Sequence, residues 1–133
     1  MPLAAYEDLS SFKLYFSDTG LFNSRLQLTK QSLVAARQYM GALTENYVAI
    51  QLKANGYKLN YWTSTATAEV DFVIVQNGEV VPIECKANIH VKSKSLDSFV
   101  KRYDIKQSIR LSMRNFGFEN NIKSVPLYAA FCV

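Results

Sequence analysis

The chain has 133 residues, 49% of them apolar and 20% charged, with 15 Lys and Arg against 11 Asp and Glu for a formal net charge of +4. That is enough for one domain with a real core, and too apolar for a disordered segment. No apolar run approaches the ~20 residues that span a bilayer. The N-terminus lacks the basic start and apolar core of a secretory signal. Two cysteines, Cys85 and Cys132, are too few for a disulfide framework or a zinc site. Both sit in apolar runs, which predicts buried, reduced thiols in a cytoplasmic protein.

Met1 to Ser11 has little periodicity and is expected to be a lead-in. Phe12 to Phe16 alternates enough for a short extended segment. Ser17-Asp18-Thr19-Gly20 then turns the chain, with Asp18 expected to cap a helix over Leu21–Leu26. Ser32 to Asn55 is the longest helical pattern, with Ser32 as the expected N-cap and Asn55-Gly56 as the exit. Gly41, Glu45, Val48, Ala49 and Leu52 fall on one stripe, where Gly41 and Ala49 would allow close approach of another element. A Glu45 carboxylate in such company must be paired, protonated or bound to a metal, unless it lies at the helix rim.

Tyr57 to Trp62 follows a glycine, is rich in aromatics, and is expected to be a strand. Thr63 to Ala68 reads as a polar loop whose Ser64, Thr65 and Thr67 can bind phosphate. Glu69 to Lys86 then forms a hairpin, because β-branched residues flank Asn77-Gly78, the dipeptide that most favours a type I′ turn. Counting outward pairs Gln76 with Glu79, Val75 with Val80, Val73 with Pro82, Asp71 with Glu84, and Glu69 with Lys86. One face is then Val70, Phe72, Ile74, Val81, Ile83 and Cys85. The other carries Glu69, Asp71, Glu84 and Lys86 among its members. Asp71 and Glu84 would have Cβ atoms about 5 Å apart, and like charges so placed destabilise a sheet. A shared proton or a cation between them relieves this, and a hard divalent ion such as Mg²⁺ or Mn²⁺ suits oxygen ligands. Lys86, about 7 Å along the strand from Glu84, can hold a phosphate or water beside the ion. The same pattern also suits a solvated face on which Lys86 pairs with Glu69.

Ala87 to Lys94 is a basic exit containing His90, the one histidine, expected in solvent. Ser95 is the expected N-cap of a helix through Tyr103, with Asp97 in its first turn and Leu96, Phe99, Val100 and Tyr103 as its apolar face. Lys86 to Arg114 is strongly basic, and Lys92, Lys94, Lys101 and Arg102 are candidate contacts to a nucleic-acid backbone; a solvated basic face fits equally well. Ser108–Ser112 alternates as a strand, Asn115–Ser124 reads as a polar loop, and Leu127–Val133 is an apolar run of undecided type. The expected order is αβββαβ, an α/β core with a mixed sheet flanked by helices.

A carboxylate on one strand, E-x-K on the next and a Glu on the preceding helix resemble the PD-(D/E)XK nuclease superfamily. The ordered blocks K-L-Y-F-S-D-T-G-L, G-A-L-T-E-N-Y-V-A, Y-W-T-S, A-E-V-D-F-V and V-P-I-E-C-K-A, over Lys13 to Ala87, resemble the C-terminal domain of unknown function of prokaryotic predicted AAA-type ATP-binding proteins. The resemblance implies a restriction-endonuclease-like core over residues 32–133. Residues 1–31 would lead in from an ATPase half, since no Walker A loop occurs in this sequence. It further implies Asp71, Glu84, Lys86 and Glu45 as catalytic residues. Asp71, Glu84, Glu45 and the main-chain carbonyl of Cys85 would hold Mg²⁺ or Mn²⁺, and DNA would be the substrate of an endonuclease or exonuclease. The alternative is a non-catalytic nucleic-acid- or protein-binding module serving the ATPase.

Overall fold

The computed structural model describes residues 3–8, 10–27, 29, 31–32, 37–64, 67–89 and 93–133. Three α-helices lie among them: α1 (Thr19–Arg25), α2 (Arg37–Ala54) and α3 (Lys94–Tyr103). Six strands, β1 (Asn60–Thr63), β2 (Glu69–Gln76), β3 (Glu79–Cys85), β4 (Ser108–Ser112), β5 (Gly117–Glu119) and β6 (Ile122–Pro126), form one sheet in the order β1-β2-β3-β4-β6-β5. β1, β2 and β3 are antiparallel neighbours, β4 joins β3 in parallel and β6 joins β4 in parallel, so the sheet is mixed. From α2 onward the helix–three strands–helix–strand order matches the expectation. Among the described residues, no helix is long and apolar enough to cross a membrane.

The central hairpin has the register that its turn dictates. Gln76 faces Glu79, Val75 faces Val80 and Val73 faces Pro82. Asn77 (φ 52) and Gly78 (φ 80) are both left-handed, as a type I′ turn requires. The faces differ from simple alternation at one place. Asn60 faces Val73 and Trp62 faces Val70, so two steps along β1 span three along β2. This extra residue is a bulge near Asp71–Phe72, and it resets the side-chain alternation. Val70 therefore packs with Val73, Leu96 and Phe99 beneath α3, not with Phe72 and Ile74 as expected. Phe72, Ile74, Val81 and Ile83 meet Val48, Ala49 and Leu52 of α2 on the other side. The β2–β3 register also runs only as far as Phe72 opposite Ile83, one step short of the expected Asp71–Glu84 pair.

Several local expectations shift for identifiable reasons. Asp18 does cap α1, accepting from Leu21 N–H at 2.8 Å. The expected helix start after Ser32 falls on residues 33–36, which lie outside the described residues; Ser32 itself exchanges bonds with Thr29, whose Oγ1 accepts from Ser32 N–H while Ser32 Oγ accepts from Thr29 N–H. Ser93, not Ser95, caps α3 by accepting from Leu96 N–H; Ser95 Oγ accepts instead from Glu69 N–H. Asn115–Ser124 is not simply a loop. Asn120 (φ 51) and Asn121 (φ 60) make a second left-handed two-residue turn, which pairs β5 with β6. The C-terminal apolar run forms 3-10 turns over Leu127–Cys132, interrupted by a kink at Ala129. Cys132 is exposed rather than buried, and Cys85 is partly buried; both are free thiols. Gly41 provides no close packing, since a Cβ there would meet nothing within 4 Å.

Candidate carboxylate and lysine site

α2 brings Glu45 to the sheet because Val48 and Leu52, within the next two turns, are fully buried. Burial of such side chains contributes roughly 1.5–3 kcal/mol each, which fixes the helix in place. β3 brings Glu84 and Lys86. The Lys86 N–H donates to Leu111 O at 2.8 Å, which carries the β3–β4 ladder one residue past Cys85. The β2 bulge turns Asp71 toward Cys85, whose N–H donates to Asp71 Oδ2 at 2.7 Å. Glu45, Asp71, Cys85 and Lys86 then line one cleft of about 320 Å³ together with Gly41, Ala87 and Asn88. Asp71 also borders a larger groove of about 820 Å³, lined among others by Lys13, Tyr61, Trp62 and Tyr103.

The electrostatics of this cluster follow from burial. Desolvation, reinforced by the charge of Glu84, pushes the Asp71 carboxyl up from its ordinary 3.8 to about 7, against the opposing hydrogen bond from Cys85 N–H. Glu84 is 3% exposed. Its Oε1 is held by Lys86 Nζ at 2.5 Å, and its Oε2 is buried with no hydrogen-bond partner among the described residues. Arg110 is its register partner on β4, and the Arg110 Nε is likewise buried without a partner. Burial would pull the Lys86 ammonium down, but the Glu84 hydrogen bond and the charges of Glu84 and Asp71 outweigh it and hold it above its ordinary value. Burial also pushes the Cys85 thiol well up, helped by the surrounding carboxylates, so it stays a thiol and not a thiolate nucleophile.

Glu45 and Glu69 take partners that the sequence did not suggest. Lys13 Nζ bridges them, 2.8 Å from Glu45 Oε1 and in contact with Glu69 Oε1. Tyr15 OH donates to the same Glu45 oxygen at 2.7 Å. Glu69 is thus paired with Lys13, not with Lys86. The visible signal for both groups is their spacing: Lys13 and Tyr15 are two apart in an extended segment and so point the same way. Among the described residues, no three His, Cys, Asp or Glu side chains are grouped to hold a metal ion.

Of the candidate nucleic-acid contacts, the described ones, Lys94, Lys101 and Arg102, are not among the residues lining the cleft. Lys94, Lys101 and Arg102 are exposed on α3, with the Arg102 guanidinium 5.6 Å from the Tyr103 ring centre. Lys92, His90 and Thr65 lie outside the described residues. Ser64 Oγ accepts from Ala68 N–H, so it shapes its loop. Trp62 is a packing residue, edge-on to Phe99 and donating through Nε1 to Tyr103 OH at 3.1 Å.

Fold and site together define a mixed α/β domain with a desolvated carboxylate–lysine cluster on its central hairpin. Residues 40–130, more than half of the chain, match the family described as a domain of unknown function, DUF4143, and the chain belongs to that family. Glu45, Asp71, Glu84 and Lys86 fall inside the matched segment, whereas Lys13 and Tyr15 precede it. No curated protein and no solved structure matches the chain.

Proposed function

We propose that this domain is a divalent-metal-dependent phosphodiesterase of the PD-(D/E)XK type, hydrolysing DNA in the cytoplasm as the C-terminal part of an AAA-type ATP-binding protein. One observation carries this reading: Asp71 and Glu84, on neighbouring strands, are desolvated and repel each other, and Lys86 is fastened to Glu84. The helix–three strands–helix–strand order, with Glu45 on its first helix, supports a restriction-endonuclease-like core. The domain division at residues 31 and 32 belongs to the same proposal.

The donor set fits a hard cation in part. Asp71 and Glu84, the latter with its Oε2 unpartnered among the described residues, suit an oxygen-seeking ion, while Glu45 fits only once free of Lys13 and Tyr15. Asp71, Glu84 and the Cys85 carbonyl would hold Mg²⁺ or Mn²⁺, with Glu45 joining them; the ion supplies Lewis acidity toward the scissile phosphate and the attacking water. Lys86 donates to that water or to charge growing on the phosphate. Lys94, Lys101 and Arg102 steady the DNA backbone through its phosphates.

Calorimetric titration with Mn²⁺ tests the reading without a substrate. Wild type saturates and Glu84→Ala does not; Asp71→Ala abolishes DNA cleavage and spares DNA binding. A wild type that binds no Mn²⁺ and cuts no DNA in its presence sinks the reading. A non-catalytic DNA- or protein-binding module is the second reading, favoured by the engagement of Glu45 with Lys13 and Tyr15. For a DNA-binding module, association is salt-dependent, indifferent to Asp71→Ala, and weakened when Lys101 and Arg102 are neutralised.

A further inference from the structure

Residues 11–16 pass Glu45 and Asn46 of α2 without regular secondary structure. They are fastened by polar groups. Ser11 Oγ bonds Tyr61 OH at 2.7 Å, Lys13 and Tyr15 hold Glu45, and Phe16 exchanges two hydrogen bonds with the Asn46 side chain. The apolar members contribute little anchoring, since Phe12 is 74% and Leu14 85% exposed. Tyr15 and Phe16 are the exceptions, their rings lying 5.7 Å from that of Phe72 and 5.1 Å from that of Phe22. The segment therefore delivers one ammonium group to two carboxylates, Glu45 and Glu69, beside Asp71, and is held there largely by bonds that water can replace.

We propose that Lys13 is the resident cation of this cluster, that Tyr15 keeps Glu45 turned toward it, and that a divalent ion gains Glu45 only by displacing the Lys13 contact. This rests on the metal-site reading above. An ammonium and a divalent ion seek the same carboxylate oxygen, so each weakens the other's hold. Lys13 and Tyr15 are then positioning residues that set ion affinity, and ion loading frees the 11–16 segment from Glu45.

The test is Mn²⁺ titration by calorimetry on wild type, Lys13→Met, Tyr15→Phe and Lys58→Met, with circular dichroism to confirm folding. Lys13→Met is expected to bind about tenfold more tightly and Tyr15→Phe about threefold, changes that calorimetry resolves. Tyr15→Phe alters no charge and keeps the ring against Phe72, so its effect cannot come from a general change in field, and it carries the test if Lys13→Met does not fold. Lys58, which lines the larger groove but pairs with Glu7, is the control, and its variant is expected to bind like wild type. Saturable wild-type binding that is unchanged in Lys13→Met and Tyr15→Phe overturns the competition and leaves the metal site standing. Equal tightening in Lys58→Met and Lys13→Met, with none in Tyr15→Phe, also overturns it, as a field effect. Absence of Mn²⁺ binding in every variant overturns the metal site and the competition with it.

Discussion

The two ends of β3 carry the same ion pair in different surroundings. At the turn end, Glu79 meets Lys106 at 3.2 Å with side chains 62% and 81% exposed. At the far end, Glu84 meets Lys86 at 2.5 Å with side chains 4% and 34% exposed. Water screens the first pair, and such pairs contribute about 0–1 kcal/mol. The second has lost most of its water, so each charge depends on the other, and the neighbouring Asp71 is driven toward its neutral form. One strand thus holds a surface pair of little consequence and a buried cluster able to do chemistry. Glu79 adjoins the exposed Asn77-Gly78 turn, whereas Glu84 lies between β2 and β4 with Arg110 as its register partner.

That contrast is most strongly broken at the buried end. Lys86→Met leaves Glu84 buried without its counter-charge and is expected to cost about 3 kcal/mol in urea unfolding, as removal of one partner from a buried pair does. The pH dependence is expected to follow Asp71. Its carboxyl is raised in the folded chain, so its contribution is fully present below about pH 4 and is lost as pH rises through about 7. In chelator-containing buffer, wild-type stability should carry this downward component across that window, and Asp71→Asn should remove it. A wild type and an Asp71→Asn variant with superimposable pH profiles would contradict the raised carboxyl. Smaller effects belong to the exposed end. Gly78→Ala meets no steric obstacle but forces an alanine to φ +80, for an expected loss of about 1 kcal/mol by thermal melting. Lys106→Ala should change stability by less than about 1 kcal/mol and shift no pH profile. A Lys106 variant as damaging as the Lys86 variant would show that burial is not what separates the two ends.

Much of this scaffold was legible in the sequence because its rules are local. Asn77-Gly78 determined the turn and hence the register of the central hairpin, since both residues tolerate positive φ. Asn55-Gly56 marked the end of the long helix, and Asp18 its short predecessor. The apolar face of α3 followed from spacing alone. The second hairpin escaped notice because Asn120-Asn121 is a weaker turn signal than Asn-Gly and β5 is only three residues long, all of them exposed.

The sequence by itself determined which residues carry charge on the hairpin, which strand holds each, and that Asp71 and Glu84 lie on neighbouring strands. Only the tertiary structure decided what surrounds them. The bulge that resets β2 depends on how β1 lies alongside it, and no composition of β2 announces that. The choice of Lys13 as partner for both Glu45 and Glu69 joins residues more than thirty positions apart, where spacing rules have no reach. The raised Asp71 is the plainest case: a carboxylate in sequence is only an acid near 3.8, and the packing of two layers around it removes the water that would keep it so.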